Sequence, residues 1–309
     1  MITPPKKCTF DCVYCQLGKT KVHVSEPEML KQPLASIDRT LSDMNDVLKR
    51  IDLSTVDIVT FSGSGEPTLN LEVGKIAERV KSKIGRLPMA LLTNCSLLSR
   101  KDVRRNLSGF DLVVAKLDAG DDEAFRSINR PADIDLNVKA IIDSIAKLKR
   151  EIKGRLALEV MLLQSENGRL TNVKGEHFKK LVDAIIEVDS DIVQLEIPYR
   201  PPSQRDIEPP SQGRLRKISR DLSEVLGEEK LWTYGIHDRR GGKVAWSRHK
   251  SVKEEVLNLL KRRPCRAADV SISLGLDPRT AEEVLRSLRK TCGLTAKIVN
   301  DEKFYFKSE

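Results

Sequence analysis

The sequence lacks the features of membrane and secreted proteins. It contains no run of eighteen apolar residues, no signal-peptide pattern at its start, and no internal repeat or low-complexity segment. Its six cysteines in 309 residues have no regular pairing spacing, which argues against a secreted disulfide scaffold. Aromatic residues are scarce at 4%, whereas charged residues reach 32%, as in helix-rich proteins with salt-bridged surfaces. We therefore expect a cytoplasmic protein that makes no membrane contact.

The positive charge is distributed unevenly. The net charge is +9, but residues 1–199 hold 30 Lys and Arg against 29 Asp and Glu, whereas residues 200–309 hold 24 against 16. A localised basic surface favours a polyanionic partner, and nucleic acid is the commonest one. A basic surface that serves only solubility explains the composition equally well.

Half of the cysteines lie within eight residues, in Cys8-Thr-Phe-Asp-Cys12-Val-Tyr-Cys15. Thiolates at this spacing can converge on a single metal centre. A tetrahedral zinc site needs four ligands, whereas three thiolates on a cubane iron–sulfur cluster leave one iron without a protein ligand. The spacing predicts a metal centre, and the alternative is three ordinary buried thiols.

Between residues 36 and 200, helical patterns alternate with short apolar runs. Five of these runs predict strands: Asp57–Phe61, Met89–Thr93, Leu112–Leu117, Leu156–Leu163 and Ile192–Ile197. Strands that alternate with helices favour right-handed βαβ units and a parallel sheet. Each run ends in a polar turn, and in barrel-type α/β folds such turns at the carboxyl ends build the site. We therefore predict an α/β core over residues 1–200.

The rest of the chain divides into two predicted segments. Residues 201–249 begin as a proline-rich linker and contain a helix capped by Ser211 and a small hairpin over Leu231–Trp246. Residues 250–309 have the pattern of a winged helix, with helices at 251–262, 266–274 and 277–290 and a two-stranded wing turning at Asn300-Asp301.

The third helix of this last segment carries four candidate nucleic-acid contacts. They are Arg279, Arg286, Arg289 and Lys290. Winged helices also dock on proteins, so the pattern leaves both kinds of partner open.

The polar turns supply the other candidate site residues. After the first strand, Gly63 and Gly65 permit close approach of a ligand to the backbone, and Glu66 offers a carboxylate to an ammonium group. Further candidates stand at the ends of later strands: Thr93, Asn94, Lys116, Asp118, Gln164, Tyr199 and Arg200. Of these, Lys116, Asp118 and Tyr199 are the candidates for catalytic roles. The alternatives are a plain turn, a surface salt pair or a purely structural role.

The cysteine spacing, with an aromatic residue before the third cysteine, resembles the signature of the radical SAM superfamily. The longer string from Cys8 to Gly18 looks like a branch related to the wyosine-base (tRNA imidazoguanosine) synthases. The resemblance implies a partial (β/α)6 barrel in which Cys8, Cys12 and Cys15 hold a 4Fe–4S cluster. The open iron would bind S-adenosylmethionine (SAM), and a ferredoxin or flavodoxin would supply electrons.

The same resemblance implies residues for the cofactor pocket. Gly63, Gly65 and Glu66 match the family's Gly-Gly-Glu-type motif, which binds the methionyl amine of SAM, although Ser64 separates the glycines. Thr93 and Asn94 resemble the family's Thr-Asn turn lining the same pocket. The family places no ligand at the position of Cys95.

The chain departs from the family pattern at two points. Only Met1–Lys7, with two prolines, precede the cysteines where the family has its first strand, so we expect that strand to be truncated or the barrel open at this edge. Cys95, Cys265 and Cys292 are widely separated, which predicts one cluster, whereas the tRNA imidazoguanosine synthases carry two.

Three functions fit these patterns. The resemblance implies an enzyme in which reductive cleavage of SAM gives a 5′-deoxyadenosyl radical that abstracts hydrogen from a substrate, and the basic C-terminal third suggests tRNA or another RNA. The second function is a protein-modifying activase or maturase that docks through the winged helix. The third is a cluster-dependent DNA-binding regulator without turnover.

Overall fold

The computed structural model describes residues 6–30, 35–238, 251–299 and 301–307. Six strands form the main sheet: β1 Val59–Phe61, β2 Met89–Thr93, β3 Leu112–Lys116, β4 Arg155–Met161, β5 Ile192–Glu196 and β6 Leu231–Thr233. An antiparallel pair follows near the C-terminus: β7 Thr295–Val299 and β8 Glu302–Phe306. The helices are α1 Ile37–Leu48, α2 Val73–Ile84, α3 Lys101–Asn106, α4 Asp122–Ile128, α5 Val138–Glu151, α6 Gly175–Val188, α7 Gln212–Leu226, α8 Val252–Leu260, α9 Ala267–Leu274 and α10 Pro278–Cys292.

The main sheet is parallel throughout, in the order β6-β5-β4-β3-β2-β1. All five predicted strands are present, because their apolar runs suit strands buried on both faces. The register sets Lys116 opposite Glu159, and Glu159 opposite Gln194. The carboxyl ends of the strands therefore bring charged side chains of β3, β4 and β5 to one edge of the sheet.

The sixth strand corrects the sequence prediction. In place of the hairpin expected over Leu231–Trp246, Leu231–Thr233 pairs in parallel with β5, and Leu231 lies opposite Val193. The rest of that predicted hairpin, from residue 239, lies outside the described residues. Helix α7 begins after the predicted cap, since the Ser211 hydroxyl accepts a hydrogen bond from the backbone N–H of Arg214. Apolar residues of α7 and β6 are buried in the same hydrophobic core as the other strands, so this core extends past the predicted boundary at residue 200.

The segment around the first cysteine lies outside the main sheet. Lys7–Cys8 pairs in parallel with Val22–His23 as a separate two-stranded ribbon, and β1 forms an edge of the six-stranded sheet among the described residues. The cysteine octet therefore folds as a loop that other parts of the chain hold in position.

The C-terminal segment has its own hydrophobic core, formed by α8, α9, α10 and the β7–β8 pair. The three helices lie where the sequence predicted them. Cys265 and Tyr305 exchange two backbone hydrogen bonds of 2.9 and 2.8 Å, which join the start of α9 to β8. A largely buried ion pair of 2.8 Å between Arg50, just after α1, and Glu255 of α8 connects this segment to the first core. No helix in the described ranges is long and apolar enough to cross a membrane.

Candidate functional site

The cysteine loop is held by backbone and side-chain contacts to distant segments. The backbone N–H of Asp11 donates to the carbonyls of Asn129 and Arg130, both at 3.1 Å. From the other side, the Ser203 hydroxyl donates to the carbonyl of Cys12 at 2.8 Å. The loop therefore sits between the end of α4 and the segment that follows β5, at the carboxyl ends of the strands.

Each of the three sulfurs in the loop faces one nitrogen donor. The Lys6 ammonium lies 3.5 Å from Cys15 Sγ. The side-chain amides of Asn94 and Asn129 lie 3.6 Å from Cys8 Sγ and Cys12 Sγ, respectively. Donors of this kind stabilise thiolate charge and tune metal centres, because an N–H···S hydrogen bond offsets negative charge on the sulfur.

The spacing of the sulfurs suits a cluster better than a single ion. All cysteines are free thiols, and the Sγ atoms of Cys8, Cys12 and Cys15 do not all lie within 4.8 Å of one another in the described structure. Three thiolates on one tetrahedral zinc ion would lie about 3.8 Å apart, given a Zn–S bond of about 2.3 Å. A cubane binds each cysteine through a different iron, so the ligands can stand farther apart.

Burial keeps the thiols of Cys8 and Cys12 protonated. Burial, aided by the charge of Glu66, raises the pKa of Cys8 to about 12. Burial and the charge of Asp118 raise the pKa of Cys12 well above its usual value. Loading of a cluster must therefore release protons from this loop.

Gly65 lies against the backbone of the cysteine loop. A Cβ atom at position 65 would lie 1.7 Å from the carbonyl oxygen of Lys7. The adjacent Ser64 carbonyl accepts a hydrogen bond of 2.7 Å from the backbone N–H of Lys6. The sequence suggested that this glycine admits a ligand, but the space is taken by the protein's own chain. Gly65 therefore fixes the distance between the loop after β1 and the cysteine loop.

The carboxylate of Glu66 is buried among hydrogen-bond donors. Oε1 accepts from the Thr68 backbone at 3.0 Å and from the hydroxyls of Thr68 and Thr93, both at 2.7 Å. Oε2 accepts from the backbone N–H of Asn94 at 2.7 Å, which leaves one lone pair of this oxygen for an ammonium group. Burial raises the pKa of Glu66 while these hydrogen bonds lower it. The site is thus built for a carboxylate with one further cationic partner.

Asn94 connects this carboxylate to the cysteine loop. Its backbone N–H binds Glu66, and its side-chain amide binds Cys8 Sγ and, at 2.8 Å, the Thr9 hydroxyl. Gln16 directly follows the last cysteine of the loop. Its Oε1 atom is buried and has no hydrogen-bond partner among the described residues. The donor set and this unpaired acceptor both fit a polar cofactor at the loop.

Asp118 is fully enclosed by donors of the chain. Its Oδ2 accepts from the Tyr14 hydroxyl at 2.6 Å and from Asn129 at 2.7 Å, and its Oδ1 accepts from the backbone N–H of Met161 at 2.8 Å. Lys116 Nζ lies 3.8 Å away. This arrangement ties the cysteine loop to β3 and β4, so the contacts of Asp118 are those of a positioning residue.

Lys116 lies in an acidic surrounding at the end of β3. Its ammonium lies 2.5 Å from Glu159 and 4.9 Å from the centre of the Tyr14 ring. Burial would lower the pKa of Lys116, but the carboxylates of Asp118 and Glu159 raise it above its usual value. Lys116 therefore stays charged and acts as a fixed cation beside the loop.

Glu196, at the end of β5, titrates near neutral pH. Burial and the charge of Glu159 raise the pKa of Glu196 from 4.5 to about 7. The folded chain binds the Glu196 proton more tightly than the unfolded chain, so protonation of Glu196 stabilises the folded state. This stabilisation is fully present below about pH 4.5 and is lost as the pH rises through 7.

We expect Glu196→Gln to remove this pH dependence. Relative to the variant, the wild type should lose up to about 3 kcal/mol of unfolding free energy between pH 4.5 and pH 8. Urea unfolding across that range measures the difference. Glu224→Gln, which removes the same charge from an exposed position of α7, is the control. Equal pH profiles for the two variants would contradict the prediction.

Tyr199 belongs to an aromatic pair that the sequence did not reveal. Its ring stacks on Tyr234 with centroids 4.7 Å apart and planes at 14°. The guanidinium carbons of Arg200 and Arg266 lie 4.4 and 6.0 Å from the Tyr199 ring centre. Gln164, the other candidate of this group, instead pairs with Glu208 in a short antiparallel ribbon. Tyr234 follows β6, so identifying it required the sixth strand.

The remaining candidates occupy several different parts of the fold. Cys95 is fully buried in the first core and Cys265 in the second, whereas Cys292 is exposed. Arg279, Arg286, Arg289 and Lys290 are all exposed on α10. His177 lies near Asp121 and Glu123. In that group the Asp121 carboxylate already caps α4 and binds His177 Nδ1 at 2.8 Å.

A parallel α/β sheet with a three-cysteine loop at its carboxyl edge defines a cluster-binding enzyme fold. The profile of the Radical SAM superfamily matches residues 2–170, and the chain belongs to this superfamily. A UPF0026 protein from Methanocaldococcus jannaschii is 29% identical over 297 residues, which cover 96% of this chain and 83% of the relative. A UPF0026 protein from Synechocystis is 36% identical over 202 residues, which cover 65% and 70%.

The solved structures support the same fold. Streptococcus suis SuiB, crystallised with S-adenosylmethionine, matches with a TM-score of 0.52 and 16% identity over 76% of this chain, which spans half of the SuiB chain. Membership of the Radical SAM superfamily implies a 4Fe–4S cluster and S-adenosylmethionine as the cofactors of this chain.

Proposed function

We propose that this protein is a radical SAM enzyme that modifies RNA, and that its cluster ligands are Cys8, Cys12 and Cys15. The observation that carries the proposal is the convergence of the cysteine loop, Glu66 and Asn94 at the carboxyl edge of the sheet. When bound, the reduced cluster and SAM supply a 5′-deoxyadenosyl radical, which abstracts hydrogen from the substrate. The six strands would form the partial barrel of the family.

The chain's own residues would position these groups. Glu66 would bind the methionyl ammonium of SAM, since its Oε2 accepts one hydrogen bond, from Asn94, among the described residues. Lys6, Asn94 and Asn129 offset the negative charge of the three thiolates, because each donates to one sulfur. Asp118 positions Tyr14 and Asn129, and Lys116 provides a fixed positive charge.

The C-terminal segment supports RNA as the substrate class. We propose that its three helices and the β7–β8 pair act as a winged helix. Arg279, Arg286 and Lys290 recur at intervals of seven and four residues, which places them on one exposed face of α10. The segment 239–250, between β6 and α8, adds five Lys or Arg residues and no carboxylate. Both stretches favour contact with phosphates.

The experiment is to identify the RNA that the protein carries. We expect anaerobically purified protein to retain a discrete tRNA or other RNA. Incubation with SAM and dithionite should convert one of its nucleosides to a product of altered mass, found by nucleoside mass spectrometry. A purified protein that carries no RNA and captures a polypeptide instead would contradict the proposal and favour the protein-modifying activity. Such an enzyme would act in the cytoplasm and receive electrons from a ferredoxin or flavodoxin.

A further inference from the structure

A cationic and aromatic cluster lies where the first core meets the C-terminal segment. Tyr199 and Arg200 follow β5, and Tyr234 follows β6 with its backbone N–H bonded to the Leu195 carbonyl at 2.9 Å. Arg266, from the C-terminal segment, lies over the same Tyr199 ring. The two tyrosine rings are stacked, and the guanidinium carbon of Arg200 lies over the Tyr199 ring, 4.4 Å from its centre.

Arg200 has no counter-ion among the described residues. No carboxylate oxygen there lies within 4.0 Å of it, and its Nε is buried without a hydrogen-bond partner. Burial lowers the pKa of Arg200 and the charge of Arg263 lowers it further, whereas the charge of Asp269, which makes no ion pair with Arg200, partly offsets this change. An unpaired buried donor costs about 1–3 kcal/mol, and more when the group is charged.

Three other enclosed arginines, Arg104, Arg266 and Arg50, are paired, in contrast to Arg200. Arg104 binds Glu151 and two backbone carbonyls. Arg266 binds Asp269 and Glu302, and Arg50 binds Glu255. The unfilled donors of Arg200 thus mark a place where an anion from outside the chain is needed.

We propose that Arg200 and Arg263 bind a phosphate group of the substrate, with Tyr199 holding the Arg200 guanidinium in position. This inference rests on the proposed function, and it assigns the substrate's phosphate to the junction of the two cores. A guanidinium presents a planar fork that binds two phosphate oxygens at once. Two half-buried arginines without carboxylate partners favour a multiply charged anion over a single carboxylate.

The location explains how such a contact serves catalysis. Residue 200 lies four residues beyond Glu196, at the same carboxyl edge of the sheet as Lys116 and the cysteine loop. A phosphate held there would place the attached nucleoside between the C-terminal segment and the loop. Arg200 is therefore a substrate-binding residue, and Tyr199 is a positioning residue.

Chemical labelling tests the phosphate site without any RNA. The full-length protein, reconstituted anaerobically and saturated with SAM, is treated with phenylglyoxal, and labelled arginines are quantified by peptide mass spectrometry. We expect inorganic phosphate to slow the labelling of Arg200 several-fold relative to chloride at the same ionic strength, and to leave exposed Arg216 unaffected. Equal labelling of Arg200 in both salts would overturn the proposal. So would full protection by SAM alone, which would assign Arg200 to the cofactor.

A binding experiment separates this proposal from the proposed function. We expect Arg200→Gln to weaken filter binding of total tRNA by about tenfold or more and to lower the salt slope by about 1. Arg216→Gln, with the same loss of charge, should cause a much smaller change. If the wild type binds no tRNA, the RNA assignment fails while the labelling result still decides the phosphate site. If both variants bind tRNA equally well, the phosphate site is wrong and the RNA assignment stands.

Discussion

Replacement of Cys12 by alanine should abolish cleavage of SAM. With dithionite and SAM, the reconstituted wild type should release 5′-deoxyadenosine, and Cys12→Ala should release at least about 100-fold less, since even residues that only orient a metal ligand are worth roughly 10- to 100-fold. The reason is that Cys12→Ala leaves the cubane with two thiolate ligands from the protein instead of three. Chromatographic quantification of 5′-deoxyadenosine and the iron content per chain measure the effect.

Cys292→Ala is the matched control, because Cys292 is an exposed thiol at the end of α10. This variant should keep its iron and its activity. If Cys12→Ala cleaved SAM as fast as the control, the octet would not be the cluster site, and the radical SAM assignment of this loop would be wrong.

Replacement of Gly65 by alanine should destabilise the protein by at least about 3 kcal/mol, the upper part of the range for overpacked positions. The added methyl group would overlap the Lys7 carbonyl oxygen at 1.7 Å, and backbone cannot move aside as a flexible side chain can. Urea unfolding measures the loss. Iron uptake should fall in parallel, because the cysteine loop would be displaced.

Gly213→Ala provides the comparison for this effect. Gly213 lies in the first turn of α7, and a Cβ there would meet no atom within 4 Å. Alanine is favoured over glycine in a helix by up to about 1 kcal/mol, so this variant should be neutral or slightly more stable. A Gly65→Ala variant as stable as Gly213→Ala would show that the loop after β1 does not press on the cysteine loop.

The strands of the core were predictable because parallel strands are buried on both faces and are nearly continuous apolar runs. The sixth strand was missed for a physical reason: it is only three residues long, and the downstream pair Gly241-Gly242 resembles the turn of a hairpin. A helix followed by a short apolar run, as in α7 and β6, is the pattern of one more βα unit. The C-terminal helices were predicted because capping residues, glycines and prolines mark their ends.

The residues of the candidate site were only partly predictable. The cysteine motif and the turn around Glu66 could be recognised in the sequence, because the residues of each motif lie within a few positions of one another. Asn94 was also a candidate from its place at a strand end, but its contact with Cys8 was not predicted. Nor were the contacts of Lys6 and Asn129 with the sulfurs, because they are ordinary polar residues until the fold brings them to the loop. The same holds for the stack of Tyr199 on Tyr234 and for the missing counter-ion of Arg200, which exist only in three dimensions.

The anchoring of the cysteine loop also sets the order of events during synthesis of the chain. The contacts that hold the loop join residues 86, 117 and 191 positions apart: Asn94 with Cys8, Asn129 with Cys12, and Ser203 with Cys12. At about 5–20 residues per second, the ribosome completes the last of these partners roughly 10–40 s after Cys12. The cysteines therefore leave the ribosome early, and the last contact that holds their loop forms only after Ser203 has been synthesised. Cellular factors that deliver iron and sulfide after that point would meet a loop in which the thiols of Cys8 and Cys12 are protonated and newly enclosed.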